Sequence, residues 1–372
     1  MEFNLTEEQQ MLRDGADRYL TEHYAFEQRK AILASASRCS AVQWTQFAEL
    51  GWLALTLPED IGGLGCSFIE TALVLEAMGR RLVLEPYGTT AVLCARILER
   101  ATNAAVRAEF LPRIGAGALR VALAHEETGA RGDVTAAARA RRVDGDWVLE
   151  GTKMLAYDAP NADKFIVTAT QQSSSAVSLW VVDRGAPGVQ LESYALIDGT
   201  LAADVTFSSV RVAPGALLAG PEQGAEILEE ALDRMVLGRV AEALGAMDMV
   251  MQITAEQIRN RSQFGQPLSK FQALQHRMAE MFIEVQETRS ILYHGLASIE
   301  APAPARRAAV SAAKVVASAA ARIVGGQGIQ LHGGVGMTDE YAVGHYFRRL
   351  IALEKAFGDA DFHLARLAAT YR

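Results

Sequence analysis

The stretch "ARARRVDGDWVLEGTK", Ala138–Lys153, carries two runs of alternating side chains on either side of Asp144-Gly145. A two-residue Asp-Gly connection between such runs is a strong signal of a β-hairpin. From Arg120 to about Pro214, further β-branched or aromatic runs such as "FIVTATQ" and "SLWVVD" alternate with Gly, Pro, Asp and Ser. We therefore predict a compact antiparallel β domain in the middle of the chain.

Helical periodicity flanks this domain on both sides. Apolar residues recur at three- and four-residue steps before it, interrupted by the loop "LPEDIGGLG". After it, one apolar stripe comprises Leu228, Leu232, Met235, Val236, Val240, Ala243, Leu244, Met247 and Met251. Because helices flank the strands and do not alternate with them, a doubly wound Rossmann sheet is disfavoured. The predicted class is α+β, with an N-terminal helical domain (1–117), a central antiparallel β domain (118–217) and a C-terminal helical bundle (218–372) whose outer faces are completed by other subunits.

Composition narrows the class of protein. The 372 residues are 50% hydrophobic and carry a formal net charge of −8, which is typical of a globular chain and argues against nucleic acid or an anionic membrane as the main partner. An acidic N-terminal start and the lack of an uninterrupted apolar run of ~18 residues predict a cytoplasmic protein without a membrane span. The three cysteines and seven histidines show no metal-binding or disulfide spacing, so we predict no metal site.

The first polar island of the C-terminal bundle is "RNRSQFGQPLSKFQALQ", Arg259–Gln275. Arginine offers a planar fork that suits phosphate oxygens. We predict a helix that opens at Ser269 with Gln272 as its capping-box partner, and such a helix start supplies free backbone N–H groups. The island is either a phosphate-binding surface or a salt-bridged turn between helices.

The second polar island is "GGQGIQLHGGVGMTDEY", Gly325–Tyr341, in which six glycines surround Gln330 and His332. Glycines at this density weaken a helix, so they serve either sharp turns or the close approach of a ligand to the backbone. The Lys-Ser/Thr of a P-loop is lacking, which favours a nucleotide-phosphate site of another type. A histidine in such a setting is more often a hydrogen-bonded structural residue than a ligand.

The helical, β, helical order, together with "PEDIGGLG", "EETGARGDV", "RSQFGQPLSKFQALQ" and "QLHGGVGMTDEYAVGHYFRR", resembles the acyl-CoA dehydrogenase family over essentially the whole chain. The opening and the ending, "FGDADFHLARLA", are most similar to the small subunits of bacterial pimeloyl-CoA-type dehydrogenases. Four separated motifs that follow one another in the family's order, within the same order of domains, make this resemblance specific.

The resemblance implies a flavoprotein that removes two hydrogens from an acyl-CoA thioester. In that family a carboxylate takes the α-proton, FAD accepts the β-hydride, and the electrons pass to an electron-transfer flavoprotein. The flavin ring lies between the β domain and the C-terminal helices of one subunit, and its ADP arm reaches the neighbouring subunit. The positions that match those holding the ADP arm are Arg261, Phe264, Gln272, Gln330, Gly333 and Gly334.

The expected catalytic base is missing from both places where the family carries it. Phe357 stands before Gly358 where most members have glutamate, and Met235 stands at the alternative position on the preceding long helix. Asp359 is an outside candidate, although a shift of two residues moves a side chain further than proton transfer tolerates.

The ring contacts depart from the family as well. Glu126 replaces a threonine that bonds the flavin pyrimidine edge, and Leu155 and Tyr157 replace Trp and Thr beside the ring. A carboxylate at that edge would oppose the negative charge that develops there on reduction.

The retained residues serve the neighbour's flavin, whereas the missing ones serve the subunit's own. Our hypothesis is therefore a heterotetramer, in which a homologous subunit supplies the base and this chain helps to hold the partner's FAD. Two alternatives are a self-sufficient homotetramer that uses Asp359 and a flavin-free acyl-CoA-binding scaffold. No residue fixes the identity of the acyl chain.

Overall fold

The structure is a computed structural model that describes residues 4–129, 132–171 and 174–370. The helices in this part of the chain are α1 (Glu7–His23), α2 (Phe26–Ala34), α3 (Ala41–Glu49), α4 (Phe68–Arg81), α5 (Ala95–Arg100), α6 (Ala104–Gly115), α7 (Gly224–Asn260), α8 (Gln272–Ser298), α9 (Ala303–His332), α10 (Ala342–Lys355) and α11 (Ala360–Ala369). The strands are β1 (Val121–Ala124), β2 (Arg139–Val143), β3 (Asp146–Tyr157), β4 (Lys164–Gln171), β5 (Val177–Asp183), β6 (Val189–Ala195), β7 (Leu201–Val212), β8 (Leu217–Ala219), β9 (Ser262–Gln263) and β10 (Gln266–Pro267). The predicted order of helical, β and helical regions is confirmed.

The central region is one sheet in the order β6-β7-β3-β2-β4-β5-β8, with β1 added beside β4. The predicted hairpin is confirmed, because β2 and β3 pair antiparallel through Asp144 and Gly145, whose φ angles are 51° and 92°. The expectation of a wholly antiparallel sheet is wrong for two pairings, since β4 runs parallel to both β1 and β2. Periodicity describes each strand alone and does not reveal the direction of its neighbour.

The chain divides into two compact units. Residues 4–30, 68–83 and 236–370 belong to one, and the described residues of 31–67 and 84–235 belong to the other. The sheet of the second unit has an apolar core that includes Trp147, Phe165, Trp180, Val205 and Phe207. The domain boundaries predicted after residues 117 and 217 follow the type of secondary structure, and they stay a prediction.

The long helices follow the apolar patterns of the sequence. On α7 every member of the predicted stripe is buried except Leu232 and Met251, which are half-buried. Helix α9 packs against α8, α10 and α11. Within the described residues, Ala303–Met337 is long and apolar enough to cross a membrane by length and composition alone, but 61% of its most apolar window is buried inside the structure.

The start of α8 differs from the prediction. Leu268–Lys270 forms a short 3-10 turn, Phe271 is extended, and the first helical residue is Gln272 with no side-chain cap. The predicted capping box of Ser269 and Gln272 is therefore wrong. The hairpin of β9 and β10 ends directly before this turn, and the turn delays the helix by three residues.

Candidate functional site

The first polar island folds into a tight hairpin whose tip displays an aromatic ring. Phe264 and Gly265 connect β9 to β10 with φ angles of 54° and 81°. Such a turn ordinarily carries Asn-Gly, so a phenylalanine in it is strained, and strain of this kind concentrates at functional positions. The Phe264 side chain is 90% exposed and contacts Phe271 edge-on, with the ring centroids 6.1 Å apart. Arg261 and Gln272, at the two ends of the island, are also exposed.

The second island forms the end of α9 and the segment after it. The N–H of Gly333 bonds to the carbonyls of Gln330 and Ile329, and Gly333 adopts φ 64° and ψ −144°, a conformation open almost only to glycine. A Cβ atom added at Gly333 or Gly334 would meet nothing within 4 Å. The backbone here is therefore accessible to a ligand.

A hydrogen bond between α8 and α9 shows that the first island, which leads into α8, and the second island, which ends α9, lie at the same end of the bundle. Arg277, near the start of α8, donates to the side chain of Gln327, near the end of α9, over 2.8 Å. The surface that we call the ADP-arm surface consists of the six exposed positions Arg261, Phe264, Gln272, Gln330, Gly333 and Gly334. Its guanidinium fork, amide groups, aromatic face and open glycine backbone are the chemistry that a phosphate-linked nucleotide requires, so these residues fit the ADP arm of FAD.

His332 lies beneath this surface as a structural residue, in line with its sequence interpretation. Its ring is 3% exposed, lies 5.1 Å from the Tyr341 ring, and bonds through Nδ1 to the Gly328 carbonyl over 2.7 Å. Burial lowers the pKa of His332 below its usual value. A neutral ring anchored in this way supports the turn at Gly333.

The position expected for the base lies in the turn between α10 and α11. Phe357 has a φ of 56° and is followed by Gly358 at 94°, where a Cβ atom would come within 2.5 Å of the Phe362 ring. The Arg239 guanidinium lies 5.9 Å from the centroid of the Phe357 ring. The turn thus presents an aromatic ring beside a cation, and neither group takes a proton at neutral pH.

Two buried titratable residues hold this turn in place. Lys314 of α9 donates to the carbonyls of Leu353 and Ala356 over 2.5 and 3.0 Å, and His363 of α11 bonds through Nε2 to the Phe357 carbonyl over 3.0 Å. Burial lowers the pKa of Lys314 to about 7, with Arg239 nearby, and burial lowers that of His363 to about 4. Sequence reasoning missed both residues, although Lys314 is the single charge in the apolar run "AAVSAAKVVASAAA".

Neither alternative base position offers a free carboxylate of suitable placement. Met235 is fully buried, and its thioether is not a base. Asp359 is the N-cap of α11, where its Oδ1 accepts the N–H of Phe362 over 3.0 Å. This hydrogen bond fixes the Asp359 carboxylate at the start of α11 as a helix cap.

The ring-contact positions lie in the other unit, where β1 and β3 end. Burial raises the pKa of Glu126, while a hydrogen bond from the Gly132 backbone opposes the shift. Leu155 has a φ of 49°, and its N–H is bonded to Asp204 Oδ1 over 3.0 Å. The side chain of Leu155 has no donor and its N–H is occupied, and an ionised Glu126 only accepts hydrogen bonds. These two residues therefore do not supply the donors that a flavin pyrimidine edge requires.

A buried ion pair stabilises the loop around Glu126. Lys153 is fully buried and donates to Glu127 Oε1 over 2.5 Å and to Thr168 Oγ1 over 2.9 Å. Glu127 also accepts the N–H groups of Ala137 and Ala138. Sequence reasoning did not single out this pair. It anchors the end of β1 whatever ligand the region binds.

Comparison with known proteins assigns the family. The family models described as the N-terminal, middle and C-terminal domains of acyl-CoA dehydrogenase match residues 6–118, 122–210 and 222–371. The chain therefore belongs to the acyl-CoA dehydrogenase family, whose members depend on FAD.

The chain is similar to several characterised members. Isovaleryl-CoA dehydrogenase of Pongo abelii is 28% identical over 302 residues, which cover 78% of this chain and 71% of the relative. The corresponding Arabidopsis thaliana enzyme is 29% identical over 67% of this chain and 63% of its own length.

Two solved structures of heteromeric relatives are also similar. The ChsE4-ChsE5 complex from Mycobacterium tuberculosis has a TM-score of 0.91 at 27% identity and covers 100% of this chain and 99% of its own. A Tcur3481-Tcur3483 steroid ACAD variant has a TM-score of 0.89 at 29% identity and covers 98% of both chains. Homologues of this chain thus form heteromeric complexes.

Proposed function

We propose that this chain is the subunit of a heteromeric, FAD-linked acyl-CoA dehydrogenase that lacks the catalytic carboxylate and supports the partner's FAD. The observation that carries the proposal is the contrast between two regions of one molecule. The six positions expected to hold the ADP arm are all exposed, whereas Phe357, with Arg239 beside it, stands where the family resemblance predicts the base. The similarity to the ChsE4-ChsE5 complex supports the same reading.

Each residue of the ADP-arm surface would have a definite role. Arg261 would pair with phosphate oxygens through its fork, the exposed Phe264 ring would offer a flat apolar face, and Gln272 and Gln330 would donate amide hydrogen bonds. The open backbone at Gly333 and Gly334 would permit close approach. FAD supplies the hydride acceptor for the oxidation of an acyl-CoA thioester, and the base that removes the α-proton would come from the partner subunit.

Two further assignments follow the family: an acyl-CoA would be the substrate and an electron-transfer flavoprotein the electron acceptor. The cytoplasm is proposed as the location from the sequence alone. A self-sufficient enzyme that uses Asp359 as its base is less well supported, because that carboxylate caps α11. A flavin-free scaffold would account for the unsuited ring contacts at Glu126 and Leu155, but it would not account for the strained and exposed Phe264 at the tip of the hairpin.

The proposal is tested on the ADP-arm surface. The chain is co-purified with a homologous subunit that carries the glutamate, and the flavin retained after gel filtration is compared between Arg261→Ala and the matched control Arg259→Ala. Loss of a charge-assisted hydrogen bond of about 1.5–3 kcal/mol predicts that Arg261→Ala weakens FAD binding by about tenfold or more. The exposed Arg259, outside the surface, should have no effect. Equal flavin retention by the two variants would contradict the proposal.

A further inference from the structure

His345 of α10 is a buried histidine with both ring nitrogens engaged by groups from distant parts of the sequence. Its Nδ1 lies 3.0 Å from Nη1 of Arg29 on α2, and its Nε2 lies 2.9 Å from the carbonyl oxygen of Asp339. The ring packs edge-on against Phe26, with centroids 4.9 Å apart. None of these residues belongs to the ADP-arm surface, although Asp339 lies in the second polar island.

These partners define the proton on the ring. A guanidinium has donors only, and a backbone carbonyl accepts only. Nδ1 must therefore accept from Arg29, and Nε2 must carry the hydrogen that is donated to Asp339. The neutral Nε2–H tautomer satisfies both bonds. In a protonated ring Nδ1 would also carry a hydrogen, and two donors, this N–H and the N–H of Arg29, would then face each other.

Arg29 cannot easily retreat from such a clash. Its side chain is 1% exposed, and its Nε donates to the Leu82 carbonyl over 2.9 Å. The charged groups that face His345 are Arg29 on α2, Arg348 on its own helix and the Asp339 carboxylate. Burial, the first cause, and the two arginines lower the pKa of His345, and the contacts with Asp339 oppose them.

Asp339 belongs to the segment 333–341, which carries Gly333 and Gly334 of the ADP-arm surface. The segment is fixed at its start by the bonds of the Gly333 N–H and in its middle by the bond from the Thr338 N–H to Val335. At its far end Asp339 accepts from His345 through its carbonyl and from Arg348 through its carboxylate over 2.8 Å. Arg348 is partly exposed and its pair is accessible to solvent, so His345 provides the buried tie.

We propose that His345 is a positioning residue for the ADP-arm surface: its neutral ring links Arg29 to Asp339 and holds segment 333–341 in the conformation that receives the adenosine end of the partner's FAD. Protonation of the ring releases the segment. The identity of the ligand rests on the proposed function, whereas the coupling of the ring to the segment does not.

The coupling is tested on the full-length chain alone by hydrogen–deuterium exchange. Peptides that cover segment 333–341 are followed from about pH 7 to about pH 5, with correction for intrinsic exchange. In the natural chain exchange should rise several-fold as the pH falls, before peptides of α8 respond. In His345→Gln, whose amide does not titrate, this rise should vanish, while the control His294→Gln on the exposed face of α8 should behave as the natural chain.

Identical pH profiles in the natural chain and in His345→Gln would overturn the inference. If His345→Gln does not fold, the exchange profile of the natural chain alone tests the inference. If segment 333–341 and α8 open at the same pH in the natural chain, the inference is equally overturned. Flavin retention by the co-purified pair is measured over the same pH range. If the segment opens as expected but the pair binds no FAD, the proposed function alone is refuted. If the pair binds FAD but the exchange profiles of the natural chain and His345→Gln are identical, the positioning role alone is refuted.

Discussion

The guanidinium of Arg239 lies 5.9 Å from the centroid of the Phe357 ring, at the turn where the family resemblance predicts the catalytic glutamate. Nη1 of Arg239 also donates to Glu242 over 2.6 Å, which fixes the guanidinium on α7. A cation therefore lies beside position 357. A carboxylate introduced there would be stabilised in its charged form and would be a weak proton acceptor.

The first prediction concerns Phe357→Glu, which introduces the residue that the family resemblance predicts at this position. The new carboxylate should pair with Arg239, which would lower its pKa and weaken it as a base. The ring contacts at Glu126 and Leu155 stay unsuited to flavin. We therefore expect Phe357→Glu to remain as inactive as Phe357→Gln when purified alone, by acyl-CoA bleaching and by flavin content. Turnover by the glutamate variant alone would show that only the base is missing.

The second prediction concerns Phe264→Asn at the tip of the hairpin. Asparagine tolerates the φ of 54° better than phenylalanine, and the Phe264 ring buries little area. The substitution should raise the free energy of unfolding by about 1 kcal/mol. It should also reduce FAD retention by the co-purified pair. Urea unfolding measures the free energy of unfolding, and flavin absorbance measures FAD retention. A gain in stability together with a loss of FAD retention is expected only if the strained Phe264 ring serves binding.

The third prediction compares Gly333→Ala with Gly334→Ala. Neither new methyl group would meet another atom within 4 Å, but only Gly333 has a positive φ. Gly333→Ala should therefore lower the free energy of unfolding by about 1–3 kcal/mol. Gly334→Ala should change it by less than about 0.5 kcal/mol. Equal values from chemical denaturation would mean that backbone strain at Gly333 is not the determining factor.

The fourth prediction is a pH dependence that arises from Lys314. Its pKa is about 7 in the folded chain and 10.5 ordinarily, so between these values the unfolded chain binds more protons than the folded one. The free energy of unfolding should rise with pH from about 7 to 10.5, by up to about 1.4 kcal/mol per pH unit from this group. Below about pH 7 the free energy of unfolding no longer depends on pH through this group, because Lys314 is then protonated in both the folded and the unfolded chain.

Denaturation midpoints of Lys314→Met across this pH range provide the check. The variant should lose the slope attributable to Lys314, whereas the exposed Lys270→Met should keep it. A slope that persists in Lys314→Met would assign it to another group.

The sequence predicts those features that depend on local patterns. The Asp144-Gly145 hairpin and the buried stripe of α7 can both be read from neighbouring residues, whereas the loss of the base at Phe357 stays a prediction. The parallel pairings of β4 and the delayed start of α8 at Gln272 depend on tertiary packing, which overrides local signals.

The same reason explains the functional residues that sequence reasoning missed. Arg29 and His345 are 316 positions apart, and Lys314 bonds carbonyls about 40 positions further along the chain. No short sequence motif predicts either contact. Lys314 is visible only as an isolated charge in an apolar helix, and the roles of His345 and Lys153 require the fold.

The flavin-to-chain ratio tests the heteromer proposal most directly. It is measured for the chain purified alone and for the chain co-purified with a homologous subunit that carries the base, each followed by an acyl-CoA bleaching assay. The proposal predicts little or no FAD in the chain alone, and about one FAD per two chains with activity in the pair. About one FAD per chain, bleached by substrate in the protein alone, would contradict it and would establish a self-contained enzyme.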